Sequence, residues 1–174
     1  MKNLYLLRHA KASWGKPGTG DFERPLEERG IEAARLMGHF MASSDMRPDF
    51  VLCSAAARAQ QTFSCFLDGY GESLESRIEE TLYLADPGII AGHLGSLPDH
   101  IKSVLVVAHN PGLQCLALDL STGANEDRQR LTEKFPTAAL AALNCDQPGW
   151  SPVNKGTFTL QGYFTPKRLQ VKII

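Results

Sequence analysis

Apolar residues along this chain fall into two alternating kinds of run. Leu4-Tyr5-Leu6-Leu7, Phe50-Val51-Leu52-Cys53 after Asp49, and Val104-Leu105-Val106-Val107-Ala108 are short and continuous, the pattern of strands buried on both faces. Between the first two, Leu26, Ile31, Ala34, Met37, Phe40 and Met41 recur at near-helical spacing. That spacing predicts a helix opening around Pro25, where a first turn accepts proline, and closing before Pro48. A second helix is expected to carry Arg58, Thr62, Cys65 and Phe66, with Ser54 as its cap and residues 69–71 as its end. Residues 78–84 read as a short strand, and 87–97 as a helix weakened by Gly88, Gly92 and Gly95. Further on, 113–120 read as a buried helix closed by Gly123, and 138–143 and 157–163 as the last strands. The alternation predicts an α/β fold: a three-layer sandwich with a mostly parallel central sheet and helices on both faces.

Composition narrows this picture. A length of 174 residues with 43% hydrophobic content suits one core, so residues 1–174 are expected to form a single domain. The net charge of −1 provides neither the basic footprint of a nucleic-acid binder nor a polybasic membrane patch, and neither partner is expected. No apolar run nears the roughly 20 residues of a membrane span, and the N-terminal run is too short for a signal-peptide core. Cys53, Cys65, Cys115 and Cys145 show no Cys-x-x-Cys spacing and read as reduced core thiols of a cytoplasmic protein. Oligomeric state is not legible.

Candidate chemistry collects where strands end. The first strand stops at Arg8-His9-Ala10, the third at His109-Asn110-Pro111-Gly112, and Arg58 falls in the first helical turn after the second. Ligands of open α/β sheets bind at the carboxyl ends of strands, beside helix N-termini, so two arginines and two histidines are expected to share one crevice. Such a pocket suits a tetrahedral dianion, because guanidinium forks match phosphate oxygens. Neutral imidazole is also nucleophilic and can accept a phosphoryl group, and nearby arginines help keep it neutral. Lys11 and Ser13 extend the phosphate cradle in this reading, and no metal or cofactor is required. The histidines offer no His-x-x-x-His pair for zinc. Blander readings stand beside these: an Arg-His dipeptide alone carries little information, and His39, His93 and His100 read as structural or surface residues. Arg24 reads as a tether for the loop or a partner of Asp21, and Trp14 as a rim aromatic or a loop anchor.

Four motifs, taken in order, make the chain resemble the histidine phosphatases, the superfamily that includes the cofactor-dependent phosphoglycerate mutases. They are Leu7-Arg8-His9-Ala10-Lys11, Asp21-x-x-Arg24-Pro25-Leu26 with Arg29-Gly30, Arg58-Ala59-x-x-Thr62, and His109-Asn110-Pro111-Gly112. The likeness extends over nearly the whole chain and is strongest to the small bacterial SixA-type phosphohistidine phosphatases. It implies a phosphoglycerate mutase-like fold with His9 as phosphate acceptor, Arg8 and Arg58 gripping the phosphoryl oxygens, and His109 donating to them. Two departures concern size: Ala10 and Ala108 stand where members often have glycine. A third concerns chemistry, since the region where many members carry a glutamate acid reads Leu82-Tyr83-Leu84-Ala85. Asp21, Glu79, Glu80 and Asp86 are conceivable substitutes that read more simply as solvated surface carboxylates.

A missing acid suits one substrate class. Phosphoserine must expel an alkoxide, whereas phosphohistidine protonated on its other nitrogen expels neutral imidazole, whose unperturbed pKa is about 6.5. The segments 10–24 and 68–103 are short for a deep lid, which predicts an open mouth able to admit a protein side chain. The expected function is therefore a phosphohistidine phosphatase acting on a phosphorylated protein, without cofactor, through a covalent intermediate on His9. Its alternatives are a small-metabolite phosphomonoesterase or mutase of the same fold, and a non-catalytic phosphate-binding module. A mutase needs a second set of basic groups at the mouth, which the sequence does not display.

Overall fold

A computed structural model describes residues 1–171 and contains one seven-stranded sheet. Its elements are β1 (Lys2–Arg8), α1 (Glu28–Ser43), β2 (Phe50–Ser54), α2 (Ala57–Tyr70), β3 (Ser76–Glu79), α3 (Pro87–Gly95), β4 (Ser103–Ala108), α4 (Gly112–Leu120), β5 (Ser121–Thr122), α5 (Glu126–Glu133), β6 (Leu140–Cys145), β7 (Phe158–Phe164) and α6 (Pro166–Val171). Strand order is β3-β2-β4-β1-β6-β7-β5. Both pairings of β6 are antiparallel and all others are parallel, so six strands share one direction and the sheet is mostly parallel, as its apolar runs predict.

The continuous apolar runs are explained by burial on both faces. Along β1, Leu4 and Leu6 enter one core cluster with Ile90 and Leu94 of α3, Leu113 and Leu116 of α4 and Leu131 of α5. Tyr5 and Leu7, pointing the opposite way, pack with Ala34, Met37 and Met41 of α1 and Phe63 and Phe66 of α2. These are the three expected layers. All the interior positions of β4 and β2 are likewise buried, so the strands that end at the candidate residues form the rigid centre of the fold.

Several boundaries differ from expectation. The first helix begins at Glu28, not at Pro25, because Leu26 pairs with Ala12 in an isolated antiparallel bridge and gives its N–H to Gln61 Oε1 at 2.7 Å. Ser54 ends β2 and is not the cap; Ala56 holds that position and makes no side-chain bond. Gly69 lies inside α2, which ends at Gly71 in the left-handed conformation (φ +84°). The strand expected at 78–84 is displaced to β3, followed by a single 3₁₀ turn, Glu80–Leu82. β6 starts at Leu140 because Ala138 turns the chain (φ +58°) and gives its N–H to the carbonyls of Arg8 and His9. α5 and α6 are additional; α5 is almost wholly polar, with Leu131 its one buried residue and Asn125 capping it through the Arg128 N–H at 2.8 Å.

All four cysteines are free, but only Cys53 and Cys145 are core thiols; Cys65 is half-buried and Cys115 exposed. Burial pushes the Cys53 thiol up to about 12. Among the described residues no helix is long and apolar enough to cross a membrane.

Candidate active site

A cavity of about 250 Å³ opens at the carboxyl ends of β1 and β4, lined by Arg8, His9, Lys11, Ala12, Arg24, Arg58, Leu84, His109, Asn110 and Thr137. Five of the six residues singled out in the sequence thus face one space. The exception is Ser13: it does not line the cavity, and its Oγ accepts the Gly15 N–H at 2.9 Å within its own loop. A hydroxyl one residue from a turn is drawn into local bonding, which spacing alone does not reveal.

His9 is buried, and its ring is fixed from both sides. Nδ1 lies 2.8 Å from the Ala10 carbonyl, which can only accept, so that nitrogen carries the proton and Nε2 holds the lone pair. The Arg58 Nε–H donates to this Nε2 at 3.3 Å. Burial, with help from Arg58, Arg8 and Arg24, pushes the His9 pKa down to about 4, so the imidazole is neutral at pH 7. The backbone around it is tied to α2: the Ala10 N–H donates to Thr62 Oγ1 at 2.9 Å, and that hydroxyl donates to the Arg58 carbonyl at 2.6 Å.

Arg58 is 4% exposed and is gripped by Asp21, whose carbonyl accepts from Nη1 at 2.6 Å and whose carboxylate accepts from Nη2 at 3.1 Å. The same carboxylate accepts from Arg24 Nη1 at 3.0 Å and from the Tyr83 hydroxyl. The Tyr83 bond foremost, with those of Arg24 and Arg58, holds the Asp21 carboxyl at about 2. Asp21 is exposed at the surface, as expected above, but it is also an ionised anchor for two arginines. Glu80 and Asp86 are exposed, and Glu79 pairs with Arg77. Among the described residues no carboxylate lines the cavity.

His109 sits 5.1 Å from His9, centroid to centroid, with Tyr83 edge-on at 5.5 Å. Its Nε2 is 2.7 Å from Ser54 Oγ, which also accepts the Ala56 N–H at 3.3 Å. The Ser54 hydroxyl can donate to or accept from this nitrogen, and the other ring nitrogen, Nδ1, is buried without a partner in the protein. Burial, then His9 and Arg58, pushes the His109 pKa down to about 3. Arg8 is oriented by its Nη1 bond to the Phe135 carbonyl at 2.8 Å, and its Nε is a second buried polar atom without a partner. Asn110 Oδ1 is a third, and of the three the Arg8 Nε–H is an unused donor that matches an oxyanion ligand, since buried donors are ordinarily satisfied.

Three residues in this arrangement carry weight that the sequence reading did not give them. Ser54, read as a helix cap, orients His109; Asp21 orients Arg58; and Tyr83 bonds Asp21 from the segment that lacks the expected glutamate. The pairing of Asp21 with Arg24 was visible as an i, i+3 spacing, but the Asp21–Arg58 and Ser54–His109 contacts join residues 37 and 55 positions apart. No group of three His, Cys, Asp or Glu side chains among the described residues is placed to hold a metal ion.

Comparison with known proteins identifies the family. A model of the histidine phosphatase superfamily (branch 1) matches residues 4–94. An uncharacterized protein of Mycobacterium tuberculosis (strain H37Rv) is 35% identical over 164 residues, covering 92% of this chain and 100% of its own. The phosphohistidine phosphatase SixA of Escherichia coli K12 is 27% identical, with 91% of each chain covered. A solved structure of the protein histidine phosphatase SixA complexed with tungstate superposes with a TM-score of 0.78 at 25% identity, covering 96% of this chain and 99% of the other.

Proposed function

Given that this chain belongs to the histidine phosphatase superfamily and is a phosphatase, we propose that it hydrolyses phosphohistidine on proteins, with His9 as the transient phosphoryl acceptor. One observation carries the reading: His9 Nε2 is unprotonated, faces Arg58, and opens on a cavity lined by the cations Arg8, Lys11 and Arg24. In the first step Nε2 attacks phosphorus while the bond to the substrate nitrogen breaks. Charge on the three transferring oxygens is met by Arg8, Arg58 and His109. The leaving imidazole, protonated beforehand on its other nitrogen, departs neutral. Water then attacks the phosphorus of phosphorylated His9, releasing inorganic phosphate and restoring the Nε2 lone pair.

The wall chemistry supports nitrogen rather than oxygen as the leaving atom. A phosphate ester needs an acid to protonate its alkoxide, and the cavity lining holds no carboxylate. A relative named as a phosphohistidine phosphatase, and a neighbour of the same kind bound to tungstate, a tetrahedral oxyanion, point the same way.

Rapid-quench mass spectrometry during turnover is expected to find acid-labile phosphate on His9 and none in His9→Ala. Arg58→Ala and His109→Ala are each expected to slow turnover by roughly 10² to 10³, as loss of an oxyanion donor does. Faster hydrolysis of phosphoserine peptides than of phosphohistidine peptides under matched conditions would overturn the proposed substrate class.

A further inference from the structure

The rim of the cavity carries two large apolar side chains in water. Trp14 is 83% exposed and Leu84 55% exposed, and Leu84 holds its place with φ +49°, a left-handed backbone that a branched side chain adopts only at a cost. Trp14 is no loose loop residue. Its indole lies on the Arg24 guanidinium, 4.3 Å from centroid to Cζ, and the Arg24 Nε–H donates to the neighbouring Ser13 carbonyl at 2.9 Å. Arg24 bonds Asp21, Asp21 bonds Tyr83, and Leu84 follows Tyr83 in the chain, while Phe22 packs edge-on against Tyr83 at 4.9 Å. Trp14 and Leu84 therefore belong to one continuous, internally bonded rim above the phosphoryl cavity.

We infer that this rim is the docking surface for the protein that carries the phosphorylated histidine, with Trp14 and Leu84 as its apolar anchors. The inference rests on the function proposed above and narrows the substrate to a folded protein. The cavity floor is cationic and takes the phosphoryl dianion, so whatever is attached to that group must lie across the rim. A protein surface around a histidine supplies apolar side chains that bury both. An aromatic ring pinned by a guanidinium loses little freedom on binding, and preorganised tryptophans are typical energetic centres of protein interfaces.

The test compares two substrates of the intact protein: phosphoramidate, which carries no surface beyond the phosphoryl group, and a folded protein phosphorylated by it on an exposed histidine. Trp14→Ala is expected to raise KM for the phosphoprotein about 10-fold with kcat little changed, and to leave phosphoramidate hydrolysis within about 2-fold, while Trp14→Phe recovers most of the loss. Leu84→Ala is expected to raise KM for the same phosphoprotein by a comparable factor. An unaltered KM for the phosphoprotein in both variants, or parallel losses on the two substrates in Trp14→Ala, overturns the docking surface. Hydrolysis of phosphoramidate but not of the phosphoprotein by the unaltered enzyme also overturns it while leaving phosphoramidate chemistry intact. Failure on both substrates overturns the phosphohistidine reading itself.

Discussion

At the scale of single residues, the site is a set of rings and forks whose orientation is imposed by a neighbour. The carbonyl of Ala10 decides which nitrogen of His9 is free, Ser54 holds the His109 ring through Nε2, and Asp21 turns Arg58 so that its Nε faces His9. Imidazole proton signals followed by NMR are expected to keep His9 neutral from pH 8 to pH 5; a titration midpoint near 6.5 would contradict the burial argued for it. Ser54→Ala is expected to lower kcat about 10-fold with a smaller change in KM, because His109 loses the bond that orients its ring; Ser54→Thr, which keeps the hydroxyl, is expected to recover activity. Asp21→Asn is expected to lower kcat/KM by up to about 100-fold by freeing Arg58, with the unfolding midpoint changed far less than the rate. His9, Arg8, Arg58 and His109 were legible because each adjoins a strand end that its own apolar run announces. Asp21, Ser54 and Tyr83 were not, because their partners are distant in the chain and polar residues in loops are common.

At the scale of elements, backbone contact explains how the helices sit. A Cβ at Gly38 of α1 would meet the Phe66 carbonyl of α2 at 2.1 Å, and one at Gly69 of α2 would meet the Arg35 carbonyl of α1 at 2.0 Å. The two glycines let the helices touch backbone to backbone, and α2 is the helix that delivers Arg58. Gly38→Ala and Gly69→Ala are each expected to destabilise the fold by about 1–3 kcal/mol in denaturant titration, the usual cost of overpacking. Gly112 does similar work for α4: its missing Cβ leaves room for the Ala85 carbonyl, 2.0 Å from where that atom would be, and so seats the segment carrying Tyr83 and Leu84 beside His109. The helix period announced α1 and α2, but their crossing was hidden, since a glycine inside a helical pattern reads as weakness until its neighbour is known. α5 escaped the same reading because its stability rests on a cap and on one buried leucine, with almost no apolar periodicity.

At the scale of the whole molecule, folding brings two neutral histidines, the buried Arg58 and the half-buried Arg8 to one end of the sheet, and this has a cost that depends on pH. Both rings have folded pKa values below the unfolded value of about 6.5, near 4 for His9 and near 3 for His109. The unfolded chain therefore binds protons that the native state refuses, and stability falls as pH drops from about 6.5 toward those values, with no such contribution above pH 7. Urea titrations at pH 7.5 and pH 5 are expected to show this loss, and a His9→Gln, His109→Gln double variant to show less of it; equal pH dependence in the two proteins would refute the cause. What the sequence determined by itself is the order of layers and the residues standing at three strand ends. Apolar periodicity is a local property, and the sheet it implies leaves few places for a ligand. Only the tertiary structure decided which nitrogen of His9 is free, which hydroxyl holds His109, which carboxylate holds Arg58, and that Trp14 lies on Arg24 along the cavity rim. Those are contacts between polar groups far apart in the chain, set by distances of a few tenths of an ångström that no local pattern encodes.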